Sequence, residues 1–220
     1  MTVNAKRPKT DMLERAAAFV AQQATRSLLY EVSVTPKPGL VDRLDSGAHN
    51  DMDFFTYLDS SVALTDYFRF AYLESRVHSH LPAPELFLHL RKLGLQAEQQ
   101  MYEATSGVNT HKGIIFTLGL FCGGLGCLAG RGVYADEYNL LSLCSQMVTP
   151  AFTAEMNGID AKVAKSGGER YYAVTGLAGI RGEAVDGYPS VKYRCDKIAF
   201  RNNNRPLPAW ERPMQYPDWR

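Results

Sequence analysis

From Gly113 to Gly130 the chain runs for 18 residues without a charge: Gly-Ile-Ile-Phe-Thr-Leu-Gly-Leu-Phe-Cys-Gly-Gly-Leu-Gly-Cys-Leu-Ala-Gly. No other stretch limits the fold as much. A membrane span needs about 20 predominantly apolar residues, usually with aromatic or basic flanks. This run instead carries six glycines, which let neighbouring backbones come close inside a packed core. It predicts the buried central helix of an all-α protein, and 220 residues suffice for a single helical domain with a full core around it.

The rest of the chain supports that class. Apolar residues at helical spacing (Leu13, Ala17, Val20, Ala24, Leu28) predict a first helix from Asp11 to about Glu31. A second stripe runs through Phe54, Leu58, Val62, Phe68 and Tyr72. A third helix opens at Pro84 and Glu85 and continues through Leu86, Leu90, Leu93, Ala97 and Met101, with Glu98 near its inner face. A fourth follows the central run, from about Asp136 to Met156. No strand-period alternation of useful length and no internal repeat occurs. The expected organisation is a flexible arm over residues 1–10, a helical domain over 11–192 and an irregular tail over 193–220.

Charge and cysteine usage narrow the functional classes. A net charge of +1 argues against a nucleic-acid partner, so anion binding must come from local placement of Lys and Arg. The N-terminus lacks an apolar signal core, and no membrane partner is expected. Cys122, Cys127, Cys144 and Cys195 form no Cys-x-x-Cys pair and read as small hydrophobes in a reducing compartment, which places the chain in the cytoplasm. His78, His80 and His89 flank Pro82 and Pro84 without a carboxylate or cysteine at ligand spacing, and read as surface residues.

Chemistry concentrates in three polar stretches. The first, Thr35 to Asp53, is broken by Pro36 and Pro38, turned by Gly39 and Gly47, and carries Lys37, Asp42, His49, Asp51 and Asp53 before a helix start. Asn50 or Asp51 as N-cap and Asp53 in the first turn would also simply stabilise that helix. The second is Val108-Asn-Thr-His-Lys-Gly113, at the start of the central helix, where free N–H groups and the dipole favour an anion. Lys112 opposes the dipole there unless an anion is present. The third is a Gly-rich loop from Ser166 to Pro189, with Arg181 between two glycines and Glu183 beside it. A Gly-x-x-x-x-Gly-Lys-Ser/Thr loop and a Gly-x-Gly-x-x-Gly turn are both absent.

At these loops the chain resembles the ATP:dephospho-CoA triphosphoribosyltransferase family. The matching motifs are Glu31-Val-Ser-x-Thr-Pro-Lys-Pro-Gly-Leu-Val-Asp42, Gly47-Ala-His-x-Asp-Met-Asp53, Gly107-Val-Asn-Thr-His-Lys-Gly113 and Gly179-Ile-Arg-Gly-Glu-Ala184. The resemblance covers roughly residues 11–192. It implies an all-α fold and a reaction in which the ribose 2′-hydroxyl of 3′-dephospho-CoA attacks C1 of the ATP ribose. Adenine leaves and the triphosphate is retained. The product would be the prosthetic-group precursor for the acyl carrier subunit of citrate lyase or malonate decarboxylase, handed on to an acyl carrier protein transferase; a homodimer is a further expected partner.

The residues suit that implication. Lys37, Lys112 and Arg181 are the basic groups for a triphosphate, with Gly39, Asn109, Thr110, His111, Gly113 and Gly182 lining it. Mg²⁺ prefers carboxylate and phosphate oxygens, so Asp51 and Asp53 precede His49 as metal ligands. Asp42 or Glu183 would face the positive charge that builds on the ribose, or accept the hydroxyl proton, with His49 the third catalytic candidate. The expected departure is at the end. Family members continue past Gly187-Tyr-Pro189 into further helices, whereas residues 193–220 hold four of the eleven prolines and both tryptophans, without a helical stripe. A truncated or altered C-terminal third would leave a silent nucleotide-binding protein as one alternative. A helical metal-dependent nucleotide phosphohydrolase is the other.

Overall fold

The structure, a computed structural model, describes residues 9–156, 164 and 167–193. Most of the arm and nearly all of the tail expected from the sequence, with Trp210 and Trp219, lie outside the described residues.

Among the described residues every regular element is a helix. They are α1 (Lys9–Ser33), α2 (Phe54–Ala63), α3 (Thr65–Val77), α4 (Ala83–Ala104), α5 (Lys112–Arg131), α6 (Glu137–Met156), α7 (Gly167–Thr175) and α8 (Gly179–Val185). The uncharged run is α5, and it is the centre of the domain. It packs on α3, α4 and α6, with α1 touching α3 and α5 from outside. Among the described residues α5 is the one helix with the length and apolarity to cross a membrane; here its apolar side chains enter a common core with Phe68, Leu86, Met101 and Met147.

The glycines explain how α5 fits. A Cβ on Gly126 would run into the carbonyl oxygen of Tyr72, and one on Gly119 into the Tyr67 hydroxyl. One on Gly123 would lie 2.6 Å from a methyl of Leu90. Gly119, Gly123, Gly126 and Gly130 recur at helical spacing, so one face of α5 is bare backbone and α3 lies directly on it. Tyr67 crosses this seam and donates from its hydroxyl to the Ile115 carbonyl at 2.9 Å. Cys122, Cys127 and Cys144 are buried free thiols, as their apolar setting suggests.

Two helix boundaries differ from the sequence reading. The second stripe is two helices: the chain bends at Leu64, which ends α2 and starts α3. No glycine or proline marks that bend. The buried face runs through Ser60, Ser61, Leu64 and Phe68, so Val62 points outward, 62% exposed. The third polar stretch is not one loop, because α7 and α8 occupy most of it. Asp136 does start α6, its side chain accepting from the Asn139 amide at 2.7 Å, and Gly132 closes α5 in the left-handed region at φ 66°.

The glycine seam makes a direct prediction. Gly126→Ala has no room against the α3 backbone and should destabilise the domain by about 1–3 kcal/mol or more. Gly113→Ala, with open space around its Cβ position, should be neutral or stabilising by up to about 1 kcal/mol. Thermal unfolding of both variants checks the contrast; equal melting temperatures would contradict the seam.

Candidate functional site

Asp42 organises the first polar loop. Its carboxylate accepts from the Thr35 hydroxyl (2.7 Å), the Lys37 amide (3.0 Å), the Leu44 amide (2.7 Å) and the Asp45 amide (3.2 Å). It is almost fully buried. The Leu44 amide, then the Thr35 hydroxyl, hold its pKa well below the usual carboxylate range. Four donors on two oxygens leave little capacity for a substrate proton. The loop is closed at a second point by Gly47, at φ 58°, whose Cβ position lies 2.6 Å from the Gly39 carbonyl carbon.

That folding sends the other loop groups to different places. Lys37 reaches back to Glu31 at the end of α1, Nζ to Oε1 2.7 Å, with its side chain only 13% exposed. Asp53 is the N-cap of α2, accepting from the Thr56 amide at 2.8 Å in a capping box. The Thr56 amide is also what lowers its pKa most. Neither Asn50 nor Asp51 caps the helix. Asp51 is free to face solvent, 3.9 Å from His49 Nδ1. Ser46, His49, Asn50, Asp51, Met52, Asp53 and Thr56 line an open polar depression of about 270 Å³.

The start of α5 meets α2 beside this loop. His111, the N-cap, is 3% exposed. Its Nδ1 lies 2.7 Å from Ser60 Oγ, and Ser60 in turn accepts from the Thr110 hydroxyl at 2.7 Å. The Thr110 bond leaves the Ser60 proton available for Nδ1, and in that arrangement the imidazole proton sits on Nε2. Nε2 is buried and finds no hydrogen-bond partner among the described residues. The Tyr57 ring lies edge-on against the imidazole, centroids 4.9 Å apart. Burial pushes the His111 pKa down to about 4 against a smaller opposing pull from Glu31. The result is a buried imidazole, held neutral, whose Nε2 is unpaired among the described residues.

Around it the helix start is cationic. The amides of Lys112, Gly113 and Ile114 precede the first intrahelical bond here, Ile115 N to His111 O at 2.8 Å. Asn109 Oδ1 stands 3.4 Å from the Lys112 amide. Lys112 meets its counter-anion within the protein: Nζ is 2.9 Å from Glu98 Oε2 on α4. The lysine is half exposed, and such pairs contribute only about 0–1 kcal/mol, so exchanging Glu98 for a phosphate costs little.

The third motif sits apart from these groups. Arg181 and Gly182 lie within α8, where Arg181 pairs with Glu155 at 3.1 Å and Glu155 also holds Arg91. Glu183 accepts from the Ser190 hydroxyl at 3.0 Å. Among the described residues no hydrogen bond or ion pair joins Arg181, Gly182 or Glu183 to the loop and α5 cluster. Sequence reasoning missed Ser60, Tyr57 and the pairing roles of Glu31 and Glu98. Ser60 and Ser61 were the available signal: two adjacent serines inside an apolar helix, both fully buried.

The start of α5 thus brings together Lys112, its first-turn amides and the buried His111 imidazole. The chain belongs to the ATP:dephospho-CoA triphosphoribosyl transferase family, whose sequence profile matches residues 17–207. It is 40% identical over 196 residues to a probable 2-(5''-triphosphoribosyl)-3'-dephosphocoenzyme-A synthase of Streptococcus mutans, covering 84% of this chain and 66% of that protein. A protein of the same name from Streptococcus equi subsp. equi is 41% identical, with the same coverage. One from Lactiplantibacillus plantarum is 39% identical over 175 residues, covering 79% of this chain and 61% of the relative. The chain thus spans about two thirds of the length of these relatives. No solved structure matches it.

The buried imidazole makes stability depend on pH. The unfolded chain takes up the His111 proton near pH 6.5, while the folded chain resists it down to about 4. Between these values the unfolded state binds more protons, so stability falls as pH falls, by about 3 kcal/mol at the lower end. Urea unfolding between pH 7.5 and 4.5 should show this slope in the wild type and a flatter one in His111→Gln. Parallel slopes would contradict a buried neutral His111.

Proposed function

We propose that this chain carries the nucleotide site of a triphosphoribosyl-dephospho-CoA synthase, a cytoplasmic pentosyltransferase. The observation that carries the reading is His111 Nε2, buried without a partner at the start of α5 beside the half-exposed Lys112. The family and the names of the relatives point to the substrates, ATP and 3′-dephospho-CoA.

In this reading the triphosphate lies over the α5 N-terminus. It takes hydrogen bonds from the first-turn amides and from His111, and exchanges for Glu98 at Lys112 and for Glu31 at Lys37. Asp51 and Asp53, on the rim of the open depression, are hard oxygen donors that fit Mg²⁺ shared with substrate phosphates; the ion would neutralise triphosphate charge. The 2′-oxygen of dephospho-CoA forms a bond to C1 of the ATP ribose as the bond to adenine N9 breaks. His49, beside Asp51, accepts the hydroxyl proton and passes it to solvent, while the departing adenine takes one proton from solvent at its ring nitrogen, so the protons balance. Glu31, once released by Lys37, faces the positive charge on the ribose. Asp42 positions the loop. The product suits the acyl carrier subunit of citrate lyase or malonate decarboxylase.

The test is incubation with ATP, Mg²⁺ and dephospho-CoA followed by chromatography. Free adenine is expected; ADP or AMP would point to hydrolysis, and binding without turnover to a silent site. In calorimetric titrations Lys37→Ala and Lys112→Ala should each weaken ATP binding by about 1.5–3 kcal/mol, with dephospho-CoA binding less affected. Unchanged ATP affinity in both would sink the assignment.

The metal rim has its own check. Asp51→Asn should raise the Mg²⁺ concentration needed for ATP binding. Asp53→Asn should do so while keeping the fold, because Asn caps helices about as well as Asp. Mg²⁺ titrations indistinguishable from wild type in both variants would show the carboxylates to be structural.

A further inference from the structure

Away from the nucleotide site, the end of α3 and the start of α4 bring three metal-ligating side chains together. Glu74 and His78 are one turn apart on α3, and His89 faces them from α4. Glu74 Oε1 lies 2.7 Å from His89 Nδ1 and 3.3 Å from His78 Nδ1. The ligand atoms of all three fall within 4.8 Å of one another. The two imidazole rings are 4.6 Å apart and inclined at 34°. The sequence reading treated these histidines as surface residues without a carboxylate at ligand spacing; Glu74, four residues before His78, is that carboxylate.

We infer that Glu74, His78 and His89 form a binding site for a divalent d-block cation, Zn²⁺ first among them. Two imidazoles and one carboxylate are an established zinc donor set, leaving a fourth position for water. In a tetrahedron with bonds of about 2.0–2.1 Å, neighbouring ligand atoms stand about 3.3 Å apart. The Glu74–His78 separation already matches that spacing, and the Glu74–His89 pair needs a small side-chain rotation to open. Each side chain is about one-third exposed (34%, 31% and 33%), which lets an ion enter while helix packing restrains all three. In the metal-free chain His78 Nδ1 also lies 3.0 Å from the Glu74 carbonyl, which only accepts, so Nδ1 gives up this proton on binding the ion. Nitrogen-rich ligation selects against Mg²⁺, so the site is chemically distinct from the Asp51–Asp53 rim.

Its position sets its role. His89 is nine residues before Glu98 on α4, about 13 Å along the helix axis. The ion therefore sits away from Lys112 and clips the end of α3 to α4. The same turn is braced by Arg131 of α5, which donates to the carbonyls of Ser79 (2.8 Å) and Leu81 (2.9 Å). A metal there would add to stability by binding only the folded chain.

The experiment is titration of the full chain with Zn²⁺ alone, read by calorimetry and by thermal unfolding. Saturable binding of one ion per chain is expected, with a rise in melting temperature. His89→Ala and Glu74→Gln should each weaken binding by roughly 10–100-fold or more and abolish the thermal shift, whereas Asp51→Asn should leave both intact. Two variants are used so that a folding defect in one leaves the other decisive. No saturable binding in the wild type, or binding that survives both substitutions, would overturn the inference and leave a hydrogen-bonded imidazole–carboxylate cluster.

Discussion

The domain depends on the contact between the bare face of α5 and the backbone of α3. Helix pairs ordinarily stand 8–10 Å apart, held off by the side chains between them. Here glycines at positions 119, 123, 126 and 130 remove those side chains, and the Tyr67 side chain and the Tyr72 backbone meet the seam from α3. The contact fixes how far α5 slides along α3, and with it where the α5 N-terminus emerges. Because α2 continues into α3 through Leu64, the same contact sets Ser60 against His111. A core-packing device thus places a polar group.

Electrostatics then makes that end of the helix useful. The α5 start presents partial positive charge from its first-turn amides, a full charge on Lys112 and the unpaired Nε2 of His111. Such a group of donors is costly in isolation. The protein offsets it with Glu98, which pairs with Lys112, and keeps Glu31 paired with Lys37 nearby on α1. The loop above is held by Asp42, whose four hydrogen bonds commit it to structure. One aspartate thus shapes the loop, whereas Asp51 is exposed and His49 partly exposed on its surface.

Much of the fold was legible because burial writes a period into the chain. The stripes of α1, α4 and α6 and the uncharged run of α5 all appear as helices. The break at Leu64 was not legible, since neither proline nor glycine marks it and the stripe merely changes phase. The helices α7 and α8 were hidden by their glycines, which suggest a loop when read locally. Thr110, His111 and Lys112 are neighbours at the start of α5, and Lys37 pairs with Glu31 at the end of α1. Their partners could not be read, because Glu31, Ser60 and Glu98 lie on three different helices and meet only through packing. The Glu74–His78–His89 cluster was missed for a related reason: one of its three members arrives from another helix.

The central claim is that the buried, neutral imidazole of His111 donates from Nε2 to a bound triphosphate. Nitrogen-15 spectroscopy of histidine-labelled protein tests it most directly. At neutral pH the His111 ring should show the tautomer protonated on Nε2, and ATP should shift that N–H signal strongly while the ring stays neutral. An Nδ1-protonated or fully protonated ring, or an Nε2 signal unmoved while ATP binds, would contradict the account.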